Sequence, residues 1–352
     1  MATPNQPIST EIQALQSRIS DLQSGVRLAK VRDAFEDLQT TVNGMAQRLA
    51  GLRTRGYVFE KDLEIQARSF TEAWNQLSPN VRNQIETQST LLTGALRPIE
   101  LQLPQLAASA GNPAAAGGLL SSLKVSVGQL DDKVRAAEAT IAGMYDQFSN
   151  QVTTVVRHLD EIEYLLTQLA EATFQLLPTE GGILAVKAVW CKSGKEQKDD
   201  PQGVLFLTDQ RLIFEQKQEV ATKKVLGIAT EKQMIQKLEL ETPVTLVEKI
   251  DPSKQGLLKN EDHVEVHFAS GAPFDSIHFH LWHDNAAWSA LVNRARSKDF
   301  DAGRAVAIDQ AAVDRVKAAP AQCPNCGGNL NQTVLRGQDS IKCEYCGFVI
   351  RL

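Results

Sequence analysis

Between Leu119 and Leu177 apolar residues recur at alternating spacings of three and four. The seam runs Leu120, Leu123, Val127, Leu130, Val134, Ala137, Ile141, Met144 and Phe148, then Val152, Val155, Leu159, Ile162, Leu166, Leu169, Thr173 and Leu176. Such a heptad pattern predicts a helix with one apolar edge. No proline interrupts it before Pro178, so the expectation is one rod on the order of 85 Å long at ~1.5 Å per residue. The four-residue step from Phe148 to Val152 inserts a stutter, where a supercoil locally unwinds. Sixteen of the seventeen seam positions are apolar, so the edge must be buried against some helix. A core helix of this chain's own bundle and an oligomerising coiled coil both meet that demand.

The residues before the rod have the same helical period. Ser9 or Thr10 can cap a first helix carrying Ile12, Leu15, Ile19, Leu22 and Val26. A second seam in shifted phase, Leu28 to Leu52, follows a break expected at Ser24-Gly25. Gly51 and Gly56 bracket an expected turn, Leu63 to Leu77 continues as helix, and Ser78-Pro79 suits the start of another. From Pro98 to Gly118 prolines, glycines and alanines replace the pattern. That composition predicts a flexible linker that lets the rod fold back on the earlier helices. His158 has no metal-binding companion at helical spacing and is expected to be solvated.

Beyond Pro178 the period changes from helical to extended. Ile183–Cys191 is an apolar, valine-rich run, and Gly203-Val204-Leu205-Phe206-Leu207 and Arg211-Leu212-Ile213-Phe214 flank a Thr-Asp-Gln-Arg turn, a hairpin signal. Further strands are expected at 244–250, 263–268 and 276–281, with Asp284 capping a helix whose stripe is Ala287, Trp288, Leu291, Val292 and Ala295. The hairpin resembles that of the GRAM and bacterial pleckstrin-homology-like domains through Gly203, Leu205, Leu207, Thr208, Asp209, Arg211, Leu212, Ile213 and Phe214, with Trp288 on the closing helix. The resemblance covers about 180–298. It implies a small, bent antiparallel barrel capped by its last helix, a non-catalytic binding module for lipid headgroups or proteins. The chain departs from that family between Val225 and Glu241, where Gly227–Ile235 reads as partly helical.

A pleckstrin-type headgroup site needs clustered cations after the first strand. Here Lys192, Lys195 and Lys198 are offset by Glu196, Asp199 and Asp200, leaving Lys223-Lys224 as a short basic pair. Arg211 is expected to pair with the turn or with Asp209. His278 and His280 are expected on one sheet face, with His267 a candidate for the opposite one; the ordinary reading is half-exposed strand histidines, and a metal site there is the alternative. Cys191, beside Trp190, reads as a buried core residue.

Near the C-terminus, Cys323-Pro324-Asn325-Cys326-Gly327 and Cys343-Glu344-Tyr345-Cys346-Gly347 are separated by sixteen residues. Two Cys-x-x-Cys knuckles at this distance predict a tetrahedral thiolate site for a structural Zn2+ at Cys323, Cys326, Cys343 and Cys346, with Leu330–Ile341 as the hairpin that joins them. The module resembles the zinc ribbon. Four protein ligands leave no position open for water, which excludes chemistry at such a metal.

The expected architecture is a multidomain α+β chain: N-terminal helices over 1–97, a linker over 98–118, the long heptad helix over 119–177, a GRAM- or pleckstrin-homology-like antiparallel barrel over 178–298, a linker over 299–320 and a zinc ribbon over 321–352. With 37 basic and 42 acidic residues, bulk attraction to nucleic acid is not expected. A transcription-associated regulator using the ribbon is the alternative, although the stretch from Asp301 to Leu352, with six basic and five acidic residues, offers little attraction to phosphate; a peripheral membrane-remodelling protein is a further one, although no basic amphipathic face of the required density emerges. No apolar run reaches membrane-spanning length, no secretory signal is expected, and paired cysteines of this kind suit a reducing, cytoplasmic setting. No nucleophile–base pair or phosphate loop emerges. These features describe a non-enzymatic adaptor that self-assembles or binds protein partners through its helices. It would dock on a protein or membrane surface through its middle domain.

Overall fold

The computed structural model describes residues 8–109, 112–225 and 228–352. The chain divides into two compact units, Met1–Gln47 with Ile65–Val156, and Arg48–Glu64 with Arg157–Leu352.

The first unit is helical, built from α1 (Ile8–Gly25), α2 (Ala29–Thr54), α3 (Leu63–Ala108), α4 (Pro113–Gly143) and α5 (Asp146–Glu171), the last residues of α2 and α5 belonging to the second unit. Helix α1 ends at Gly25 as expected, and Leu28, at φ 53°, turns the chain into α2. A Cβ on Gly25 would press on Val134 Cγ1 at 3.2 Å, so glycine also permits close approach of α4. Arg18 reaches Asp131 at 3.3 Å and Lys124 reaches Glu11, which sets α1 and α4 parallel, while Arg32–Glu86 at 2.7 Å and Arg82–Gln39 at 3.1 Å set α2 and α3 antiparallel. Phe35, Trp74 and Phe148 stack where α2, α3 and α5 meet, with centroids 5.0 and 5.5 Å apart.

Two expectations fail here for identifiable reasons. Helix α3 passes through Pro79, Pro98 and Pro104. Each proline removes a backbone bond and costs about 3 kcal/mol in a helix interior, but buried Val81, Ile85, Leu92, Leu96, Ile99 and Leu106 offset that cost. The linker expected over 98–118 is therefore confined to the few residues between Ala108 and Pro113, of which 110–111 lie outside the described residues. The rod is two helices, not one. Met144 and Tyr145 bond back three residues, to Ile141 and Ala142, and so absorb the change of phase just before the expected stutter. Leu120, Leu123, Val127, Leu130, Val134, Ala137, Ile141 and Val152 are buried within this one chain. Met144, Phe148, Val155, Leu169 and Leu176 of the same seam are half-buried.

The second unit holds a seven-stranded antiparallel sheet of order β4-β3-β2-β1-β7-β6-β5. Its strands are β1 (Gly182–Trp190), β2 (Gln202–Thr208), β3 (Arg211–Val225), β4 (Ile228–Pro243), β5 (Val247–Gln255), β6 (Glu261–Phe268) and β7 (Ser276–Leu281). Helix α6 (Asn285–Arg296) follows, its first turn capped by Asp284, which accepts from Ala287 N at 2.8 Å. This is the pleckstrin-homology-like architecture that the hairpin residues imply. Trp288 and Val292 of α6 are fully buried. The hairpin forms in the expected register, Leu207 opposite Leu212 and Gly203 opposite Gln216. Gly203 is required there, because a Cβ would stand 2.0 Å from the backbone oxygen of Glu215. The departure expected near Gly227–Ile235 resolves as strand. From Ile228 onward the chain pairs with β3 as β4, while Gly227 lies outside the described residues. Lysine and glutamate alternation defeats a periodicity reading here, because a long edge hairpin need not carry an apolar face.

After α6 the connector holds a 3-10 turn (Asp299–Gly303) and a short α-helix, α7 (Gln310–Ala318), capped by Asp309, and the chain ends in the hairpin β8 (Ser340–Lys342) and β9 (Val349–Arg351). The expected hairpin over Leu330–Ile341 is replaced by β8–β9, which brackets the second knuckle. No helix among the described residues is long and apolar enough to cross a membrane.

Candidate metal centre

The four C-terminal cysteines come together. Cys323 Sγ lies 3.7 Å from Cys346 Sγ, and Cys326 Sγ lies 3.7 Å from Cys343 Sγ. A tetrahedral ion with bonds of about 2.3 Å to sulfur needs sulfurs about 3.8 Å apart, whereas a disulfide needs about 2.05 Å. The spacing therefore suits a metal. The two knuckles repeat one backbone pattern. Cys323 N donates to Gly328 O and Cys343 N to Phe348 O, both at 2.9 Å, and Gly327 and Gly347 both adopt φ 74° as they bond back to the first cysteine of each pair. Only glycine holds that conformation without strain. The Phe348 backbone N–H, helped by the Asn325 amide, lowers the Cys346 thiol, while its neighbouring sulfurs push the Cys326 thiol up, as expected of thiols crowded together without a cation between them. Ile341 and Ile350 with Cys323 and Cys343 form the small core of this module. So few buried side chains would not hold it folded alone.

A charge network fastens the module to the sheet. Asp209, in the β2–β3 turn, pairs with Arg304 at 2.7 Å and with Arg336, and accepts from Gly181 N at 2.9 Å. Burial pushes the Asp209 carboxyl up, against the pull of Gly181 and the two guanidiniums. Gln210 doubles the attachment, accepting from Arg336 N at 2.6 Å and donating to Arg336 O at 2.9 Å. Asp209 is thus taken by the C-terminal segment, and Arg211 does not pair with it as expected. Arg211 instead grips the fully buried Glu180, with Nε at 2.9 Å, and reaches Glu241 at 2.5 Å and Gln175 O at 2.9 Å. A cleft of about 330 Å3 between the sheet and this segment is lined by Val244, Ile308, Val313, Val316, Val334 and Leu335.

The histidines also depart from expectation. His158 is not simply solvated. Its Nε2 lies 2.6 Å from Glu60 Oε2, and the Glu60 hydrogen bond raises the imidazole above its usual range. His263, His278 and His280 are buried on one face of β6 and β7. His263 Nδ1 lies 3.0 Å from His278 Nε2, and the His263 and His280 rings stack at 4.6 Å. His267, by contrast, pairs with Asp251 at 3.1 Å. Cys191 joins the buried group, and burial pushes its thiol up to about 12, which makes it inert as a free nucleophile. The polar loop after β1 covers this face. Glu196 reaches His280 Nδ1 at 2.5 Å, and Asp200 accepts from Gln197 N at 2.7 Å. Of the acids that offset the lysines of this loop, Glu196 therefore serves a histidine and Asp200 the loop backbone.

No family model and no curated protein matches the chain. Among solved structures it is similar to the Vps36 N-terminal PH domain at 17% identity, with a TM-score of 0.23, over 35% of this chain and 84% of that one. It is also similar to the DH/PH domains of p115-RhoGEF at 13% identity, with a TM-score of 0.21, over 84% of this chain and 95% of that one. The fold as described rests on its own strand order and register.

Proposed function

We propose that this chain is a non-enzymatic adaptor. Its helices bind protein partners or a second copy, its pleckstrin-homology-like domain docks on a lipid surface, and its C-terminal module is a structural zinc ribbon. The observation that carries the docking reading is the tip of the β5–β6 hairpin, where Leu257 and Leu258 stand 104% and 83% exposed. Lys254 and Lys259 flank them. Two leucines at a protruding tip have no folding role that needs them apolar, and burying them is worth roughly 1.5–3 kcal/mol each. A flat lipid interface can receive both at once, and nearby lysines add attraction to anionic headgroups. The Lys254–Asp262 pair at 2.6 Å offsets part of that charge, so the apolar contribution dominates. The four-sulfur geometry supports the non-catalytic reading, because a metal held there has no open position.

Co-sedimentation with phosphatidylcholine vesicles, with and without phosphatidylserine, tests this reading. The wild-type chain should bind, more tightly with phosphatidylserine. Leu257→Ser with Leu258→Ser should weaken binding at least tenfold while the fold is retained. Binding unchanged by that double variant, or none at all, overturns the lipid reading.

A further inference from the structure

The structure assigns a second metal site, separate from the four C-terminal cysteines: Cys191, His263 and His278 form a three-ligand centre for a divalent transition-metal ion of the Zn2+/Co2+ class. All three residues are buried, and Cys191 Sγ and one ring nitrogen of each histidine lie within 4.8 Å of one another. Three different strands bring them together. Cys191 follows β1, its N–H donating to His278 O at 2.8 Å, while His263 and His278 lie diagonally across the β6–β7 ladder.

The hydrogen-bond inventory indicates which nitrogens would bind. Glu265 Oε2 lies 2.8 Å from His278 Nδ1 and accepts its N–H, so Nε2 of that ring carries a lone pair facing the cluster. His263 Nδ1 lies 3.0 Å from that Nε2 and donates to it in the metal-free chain. The arrangement leaves His263 Nε2 as a buried acceptor without a hydrogen-bond partner, which is unfavourable. A metal removes the conflict. With the ion on His278 Nε2 and His263 Nδ1, the His263 ring proton moves to Nε2, where Glu261 Oε2 stands 3.8 Å away. His278 then has a hydrogen-bonded carboxylate on the nitrogen it does not use for the metal, the usual support of a ligating histidine, and Glu261 lies on the corresponding side of His263. Cys191 binds as thiolate, and its proton leaves to solvent, one per ion bound.

A fourth position is not filled by a cysteine or histidine. The Gln255 carboxamide lies 3.4 Å from His278 Nε2 and can turn its oxygen toward the ion. His280 stacks on His263, and the loop carrying Glu196 closes over the face, which keeps the centre away from bulk water. An ion here would tie the end of β1 to β6 and β7 at the base of that loop.

The test loads the full chain, stripped with chelator, with Co2+ and passes it through a desalting column. Bound metal is read by elemental analysis and geometry by the visible bands of tetrahedral Co2+. Wild type should retain two ions per chain. Cys191→Ala and, separately, His263→Gln should each retain one, with the spectrum of a four-thiolate ion and unchanged far-ultraviolet circular dichroism. Cys326→Ser with Cys346→Ser should also retain one, now with a weaker sulfur-to-cobalt band, which separates this site from the ribbon. The proposal is overturned if both Cys191→Ala and His263→Gln load as wild type does. It is equally overturned if the Cys326→Ser, Cys346→Ser chain retains no tetrahedral Co2+.

Discussion

Asp209→Asn should loosen the C-terminal module from the sheet without unfolding the sheet. Asp209 is the one carboxylate serving both Arg304 and Arg336, and the three side chains are 3%, 5% and 14% exposed. Asparagine keeps the volume and can still accept from Gly181, but it removes the nearest counter-charge of two buried guanidiniums and leaves Arg336 the more distant Asp301 at 3.9 Å. Removing one member of a buried pair costs about 3–5 kcal/mol. The retained hydrogen bonds place this case near the lower figure, and about 3 kcal/mol corresponds to roughly a hundredfold rise in the opened population. Salt should alter it little, since buried pairs are poorly screened. Limited proteolysis of the connector between Arg304 and Arg336 reads that population directly when opening is fast. Cleavage should accelerate about a hundredfold, and Asp209→Asn combined with Arg336→Gln should recover part of the loss. A change under twofold would show that the burial cost borne by Asp209 cancels its pairing, refuting the claim that this network fastens the module.

Gly203→Ala should destabilise the β2–β3 hairpin by about 2–3 kcal/mol, the scale of a steric insertion into a packed region, because its Cβ would meet the Glu215 backbone oxygen at 2.0 Å. Denaturant titration checks this, and an unchanged midpoint would contradict it. For the His158–Glu60 pair the raised imidazole favours folding below the ordinary histidine range and loses that effect as pH rises through its folded value. Glu60, lowered by His158 and Tyr57 against the cost of burial, contributes above the usual carboxylate range and loses that contribution as pH falls. Stability from the pair should therefore peak between the two ranges and vanish in His158→Ala. Both side chains are more than a third exposed, so the amplitude should stay below about 1 kcal/mol. A pH profile that is the same in wild type and variant would dismiss the pair.

What the residues reveal in advance follows the range of the interaction. The change of period at Pro178, the Gly203–Phe214 hairpin, the Asp284 cap with Trp288 and the paired Cys-x-x-Cys knuckles are local signals, and each stands where it was expected. Composition misled between Pro98 and Gly118, where prolines lie inside α3 because tertiary burial outweighs propensity. The rod misled differently, since its unbroken seam is carried by two helices, α4 ending at Gly143 and α5 beginning at Asp146. Pairings between distant positions left no local trace: Arg211 with Glu180, thirty-one residues apart, and His158 with Glu60, ninety-eight apart. Cys191 and His263 carried no spacing that joins them, because only the strand order brings them together.

The account turns on the closed four-sulfur centre, and zinc-edge X-ray absorption of the Cys191→Ala chain tests it most directly, because that variant removes the second site from the signal. The spectrum should show one zinc per chain with four sulfur neighbours at about 2.3 Å and no nitrogen or oxygen neighbour. Bound iron, no bound metal, or a zinc with an oxygen neighbour in place of a sulfur would contradict the account.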